Sequence, residues 1–165
     1  MNPKVLVAGI GNIFLGDDAF GVEVVQRLAR RELPEGVTVR DFGIRSFDLA
    51  YALMEQWDMV ILVDALPCGG EPGTLCTLDP DLPDGDDTPP DLDAHTMNPV
   101  AVLKMVSALG GRVGRMLVVG CEPATVEANA EGHMGLSVPV AVAVDEAVRM
   151  VEQIIARVRS ETTAV

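Results

Sequence analysis

An open α/β sheet covered by helices on both faces is the fold class that this 165-residue sequence predicts. Short β-rich apolar runs alternate with longer segments of helical period, the order of βα units rather than of segregated strands and helices. Several of the runs are apolar at consecutive positions, as strands buried on both faces are. No internal repeat interrupts the alternation, so residues 1–165 are expected to form one domain, long enough to bury roughly 70% of its unfolded surface.

The first strand is expected over residues 4–8 and runs into GIGNIFLGDDAFG, residues 9–21, a glycine turn that presents two adjacent aspartates, Asp17 and Asp18. A helix is predicted over 18–32, with Phe20, Val24, Val25 and Leu28 on one stripe and Asp17 as N-cap, ending before Pro34 and Gly36. A second strand is expected over 37–42, then a helix over 47–56 with Ser46 as its cap. The third strand, 59–64, ends in Asp64 within VILVDAL, and a fourth is expected over 74–78. Residues 78–95, LDPDLPDGDDTPPDLDAH, carry seven aspartates and four prolines and suit neither a helix nor a central strand. They read as a long acidic loop that ends at His95 and either faces a substrate or serves solubility. A third helix is expected over 99–109, with Asn98 as cap, Pro99 in the first turn and Gly110-Gly111 as terminator. The fifth strand is placed at 115–121 and a fourth helix at 139–159, after which residues 160–165 are expected to fray.

Composition removes several function classes. With 25 acidic against 12 basic residues the net charge is −13, a surface that repels nucleic acid and anionic membranes and suits a partner with a basic docking face. No apolar run approaches the roughly 20 residues of a membrane span, and MNPKVLVAGIG lacks the charged and long apolar regions of a signal peptide, so a cytoplasmic location is expected. Three cysteines without CxxC spacing indicate neither a disulfide framework nor a zinc knuckle; Cys68, Cys76 and Cys121 are expected to be small apolar fillers in a reducing compartment.

The chemistry is expected where the carboxyl ends of parallel strands meet. Gly9-x-Gly11 is a poor dinucleotide fingerprint, because Phe14 stands at the third glycine and Asp17 and Asp18 would repel a pyrophosphate. The aspartates of the acidic loop do not have EF-hand spacing, and no GxSxG, HExxH or GxxxxGK[ST] motif occurs. Asp64 closes an apolar strand, a costly place for a carboxylate unless it finds a cation, a donor or a metal; its alternative is to cap a neighbouring backbone. Asp18, whose alternative is to complement a helix dipole, and His95 are directed to the same sheet edge. Two carboxylates and one imidazole can chelate a borderline divalent metal with a position left open, without choosing among nickel, zinc and iron(II). His133, in EGHMG, is the competing histidine.

GIGNIFLGDDAFG, VILVDAL, a histidine before the third helix and VVGCEP after it, in this order over nearly the whole chain, resemble the nickel-iron hydrogenase maturation proteases. The resemblance implies a three-layer α/β/α sandwich around a mainly parallel sheet of about five strands. It implies a monomeric, cytoplasmic, aspartyl-type endopeptidase that removes a C-terminal extension from the hydrogenase large-subunit precursor after nickel insertion. It also implies a metal site of Asp18, Asp64 and His95, with glutamate more usual at the first position, and a substrate-facing turn at Asp41 and Gly43. The metal is expected to be nickel carried by the substrate, with zinc or another divalent cation able to occupy the site in isolation. A metal-dependent small-molecule hydrolase and a non-catalytic nickel chaperone would keep the same three ligands.

Overall fold

The computed structural model describes residues 2–80, 99–124 and 135–164. The chain runs from β1 (Val5–Ile10) through a 3₁₀ turn (Gly16–Ala19) into α1 (Phe20–Leu28), then β2 (Val37–Gly43), α2 (Ser46–Leu53) and β3 (Met59–Ala65). It continues with β4 (Leu75–Leu78), α3 (Pro99–Ala108), β5 (Met116–Cys121) and α4 (Val138–Thr163). The strands form one sheet in the order β2-β1-β3-β5-β4, parallel except for β4, which runs antiparallel to β5 at the edge.

Strand alternation divides the core in two. Val5 and Val7 of β1, with Met59, Ile61 and Val63 of β3, meet Phe20, Val24, Val25 and Leu28 of α1 and the apolar face of α4. The intervening residues, Leu6, Ala8 and Ile10 with Val60 and Leu62, meet Leu49, Ala50 and Leu53 of α2 and Val102, Met105 and Val106 of α3. The sandwich is therefore α/β/α, and the continuous apolar runs are strands covered on both faces, as the sequence predicts. The connection from β1 to β2 carries α1 on one face, and that from β2 to β3 carries α2 on the other, so the strand order reverses at β1. That reversal opens a crevice between the carboxyl ends of β1 and β3.

Four local expectations are corrected. The first helix is shorter than 18–32, because residues 16–19 tighten into a 3₁₀ turn and the α-helix ends at Leu28. The Asp17 carboxylate does not cap α1, whose N-cap position falls to Ala19; it is taken by other partners, described below. Ser46 is the first residue of α2 rather than its cap, and that helix stops at Leu53. Residues 160–163 remain helical, held by the Arg115–Glu161 ion pair at 2.6 Å and by Thr162 and Thr163 hydroxyls donating to carbonyls one turn back. Asn98 and most of the acidic loop, residues 81–93, lie outside the described residues.

The cysteines are the fifth correction. Cys68 and Cys76 are joined in a disulfide eight residues apart, between the exit of β3 and the edge strand β4, while Cys121 is a free, fully buried filler. Counting could not find this bridge, because its two half-cystines follow no motif spacing. Closing so short a loop removes denatured-state entropy, so Cys68→Ser with Cys76→Ser is expected to lower stability by about 2–3 kcal/mol. Chemical denaturation with and without dithiothreitol checks it, and reduced wild type should fall to the level of the double variant.

Candidate active site

Asp18 and Asp64 come together at the crevice where the strand order reverses. Asp64 is the penultimate residue of β3 and lies opposite Gly120 of the neighbouring β5. It is 4% exposed, because the strand carries it into the sheet's carboxyl edge before the chain turns away. Asp18 sits in the 3₁₀ turn after β1, half-buried, with its Oδ2 accepting the Asn12 N–H at 2.8 Å. Asn12 shapes that turn with its side chain as well, since its Oδ1 accepts the Phe14 N–H at 2.9 Å.

Two glycines make the close approach possible. At Gly11 a Cβ would lie 1.8 Å from the Asp18 carbonyl oxygen, so the turn folds back onto β1 only without a side chain there. Gly21 opens α1 against the sheet, where a Cβ would meet the carbonyl oxygens of Val63 and Ile10 at 2.1 and 2.4 Å. Gly11 and Gly21, the second and fourth glycines of GIGNIFLGDDAFG, bracket the turn and thus serve packing rather than a phosphate cradle.

The electrostatics mark the two acids as a pair. Burial raises the Asp64 carboxyl well above the usual carboxylate range, the Asp18 charge raises it further, and a hydrogen bond from the Ala65 backbone only partly opposes them. Asp18 is also raised, by burial, against the stabilising Asn12 N–H. Two like charges in a partly dry crevice favour either a shared proton or a cation. The neighbouring Cys121 thiol is pushed up to about 11 by burial and by the charges of Asp17 and Glu122, which keeps it a protonated filler rather than a nucleophile or ligand.

Asp41 and Gly43 form the rim of the same edge. The exposed Asp41 accepts the Gly43 N–H at 2.9 Å, Gly43 adopts a φ of 54°, and its carbonyl accepts the Gly11 N–H at 2.9 Å, which ties the end of β2 to the exit of β1. Between them opens a cleft of ≈ 360 Å³ lined by Gly11, Asn12, Ile13, Phe14 and residues 41–45. Ile13, Phe14, Ile44 and Phe47 leave apolar surface exposed beside it.

His95 and His133 lie outside the described residues. Among the described residues no group of three His, Cys, Asp or Glu side chains that could hold a metal ion is assembled. The sequence brings Asp17 and Glu122 to this edge, but the long-range bonds of both are not legible in it. Glu122 accepts the Cys68 N–H with its carboxylate, while its backbone pairs with Gly73 and Thr74, so it binds the disulfide loop to the end of β5. Asp17 binds Ala124 and Ser137, more than a hundred residues away, and no local pattern points to such partners.

A family model described as hydrogenase maturation protease matches residues 22–154. The chain belongs to the hydrogenase maturation protease family. A putative hydrogenase maturation protease of Methanocaldococcus jannaschii is 36% identical, over 89% of this chain and 93% of its own length. The hydrogenase 2 maturation protease of Escherichia coli is 30% identical, over 94% and 91%. Among solved structures, the hydrogenase maturating endopeptidase HybD from E. coli superposes with a TM-score of 0.69 at 28% identity, covering 96% of this chain and 93% of that one. The family resemblance read from the motifs and the α/β fold it implied are both borne out. No described helix is long and apolar enough to cross a membrane.

Proposed function

We propose that this protein is an endopeptidase that removes the C-terminal extension of a nickel-iron hydrogenase large-subunit precursor after nickel insertion. The observation that carries the reading is the pair of raised carboxylates, Asp18 and Asp64, at the crevice of a fold whose family consists of hydrogenase maturation proteases. Nickel seated in the precursor is the recognition element, gripped by Asp18, Asp64 and His95. A divalent cation relieves the repulsion that burial imposes on the two acids, so the crevice favours a precursor that brings one. Nickel, when bound, supplies Lewis acidity for the scissile carbonyl or for a water. Asp41 and Gly43 line the cleft that receives the polypeptide beside the metal, with the exposed Ile13, Phe14 and Ile44 as apolar contacts.

Mass spectrometry of a large-subunit precursor after incubation with the protein tests this directly. The nickel-loaded precursor should lose its C-terminal extension and the nickel-free one should not. Equal cleavage of both would end the role of nickel in recognition. Cleavage of neither would favour a small-molecule hydrolase, or, if nickel moves between the proteins without loss of mass, a chaperone. Three donors from separate segments, none a thiolate, hold a cation only exchangeably. Protein stripped by a chelator, with the chelator then removed, is therefore expected to cleave nickel-loaded precursor at the untreated rate. A stripped enzyme that is inactive until stoichiometric zinc is restored would replace this reading with a resident-metal peptidase.

A further inference from the structure

Asp17 is 3% exposed, and while its carbonyl accepts the Phe20 N–H, its carboxylate binds neither α1 nor Asn12, the partner of Asp18. Its Oδ1 accepts the Ser137 N–H at 2.6 Å, and its Oδ2 accepts the Ala124 N–H and the Ser137 hydroxyl, both at 2.8 Å. Ser137 is the N-cap residue of α4, yet its hydroxyl makes no cap bond because it is turned to Asp17. The aspartate thus lies at the positive end of a 26-residue helix, and Ala124 joins it from just beyond the end of β5.

We infer that Asp17 is a positioning residue for the candidate site, fixing where Asp18 stands relative to Asp64. This rests on the proposed reading of those two acids as the working pair. The connections close on themselves. Asp17 and Asp18 are consecutive in one tight turn, and Asp18 is bound to the Asn12 N–H, with the Gly11 backbone packed against its carbonyl. From Asp17 the link passes to Ala124, back along β5 to Gly120, and across the parallel ladder to Asp64. A turn held only by β1 could pivot in the crevice; one also held by β5 and α4 cannot. Carboxylate chemistry is needed for this. Asp17 accepts three hydrogen bonds on two oxygens, whereas asparagine offers one oxygen and sets an NH₂ against a backbone N–H.

The test compares Asp17→Asn, Ser137→Ala and Ser137→Thr with wild type, at a temperature where circular dichroism shows each to be folded. Cleavage of nickel-loaded precursor is measured beside the chemical shift and exchange protection of the Asn12 amide, which reports its bond to Asp18 whether or not anything is cleaved. Asp17→Asn is expected to lower kcat/KM by about tenfold or more and to shift and deprotect the Asn12 amide. Ser137→Ala, which deletes one bond of three, should shift the same amide less and lose activity several-fold, on the order of what one misplaced group costs, and threonine should restore both. Wild-type kcat/KM in folded Asp17→Asn, or an unperturbed Asn12 amide, overturns the inference. If Asp17→Asn does not fold, Ser137→Ala decides by the same amide. If wild type cleaves no precursor, the proposed function fails and the Asn12 amide alone decides the position of Asp18.

Discussion

Asp64→Asn is expected to abolish precursor cleavage and, in the same protein, to raise the melting temperature of the free fold at neutral pH. Loss of activity follows from removing one of the two acids at the crevice. The gain in stability follows from the sign of the shift. Asp64 is raised above its unfolded value by burial and by Asp18, so the folded state prefers the protonated acid. The stability this preference contributes is fully present below the ordinary carboxylate range and is lost as pH rises through the raised value. At neutral pH the unfolded acid is ionised while the crevice disfavours that charge, so Asp64 opposes folding, and asparagine, neutral and nearly isosteric, removes that opposition. Each 1 kcal/mol relieved should raise Tm by about 2–4 °C. Melts at about pH 5 and about pH 8 should show the difference between variant and wild type growing with pH, since only the wild type carries the raised Asp64 carboxyl. A variant that melts below wild type at the higher pH would show that Asp64 is bonded in the free protein as a settled structural acid. Activity lost together with stability gained is the signature of a group kept for function.

How much of this was legible in the sequence depended on whether the responsible interaction was local. β1, β3 and β5 could be read because each is a continuous apolar run, and the burial of both faces that such runs imply is what the sandwich supplies. The direction of β4 could not: four half-exposed residues on an edge pair antiparallel because the disulfide loop turns the chain back, and nothing in LCTL records it. The end of α4 is not legible because SETT is weakly helical alone, and the ion pair that extends the helix comes from Arg115 before β5. At the site, Asp64 stood out as a carboxylate closing an apolar strand, and Asp18 as half of an acidic pair in a glycine turn. A local capping rule gives Asp17 to the nearest helix, whereas it serves the N-terminus of the last one, 120 residues later. Spacing rules carry information only across the few residues they span, and what ties this crevice together is almost wholly long-range.

Gly21→Ala is expected to cost about 3 kcal/mol or more, to lower Tm by roughly 6–12 °C, and to depress cleavage even where the variant is folded. The new methyl has nowhere to go. It would meet two carbonyl oxygens, those of Val63 and Ile10, inside van der Waals distance, and backbone in the centre of a parallel sheet cannot yield as a side-chain end can. Relief requires α1 to lift from the sheet, against the packing of Phe20, Val24 and Val25 that holds it there. Those oxygens lie beside the chemistry, because Val63 precedes Asp64 and the turn bearing Asp18 leads directly into α1. Lifting the helix should therefore spread the two acids apart. Gly43→Ala is the control on the same rim: its Cβ would find nothing nearer than 3.8 Å, so only the left-handed backbone at φ 54° is penalised, by about 1–2 kcal/mol. Thermal melts of the two variants, measured side by side, separate steric contact from backbone strain. Equal losses in both would mean that the approach of α1 to the strand ends is not what sets the crevice.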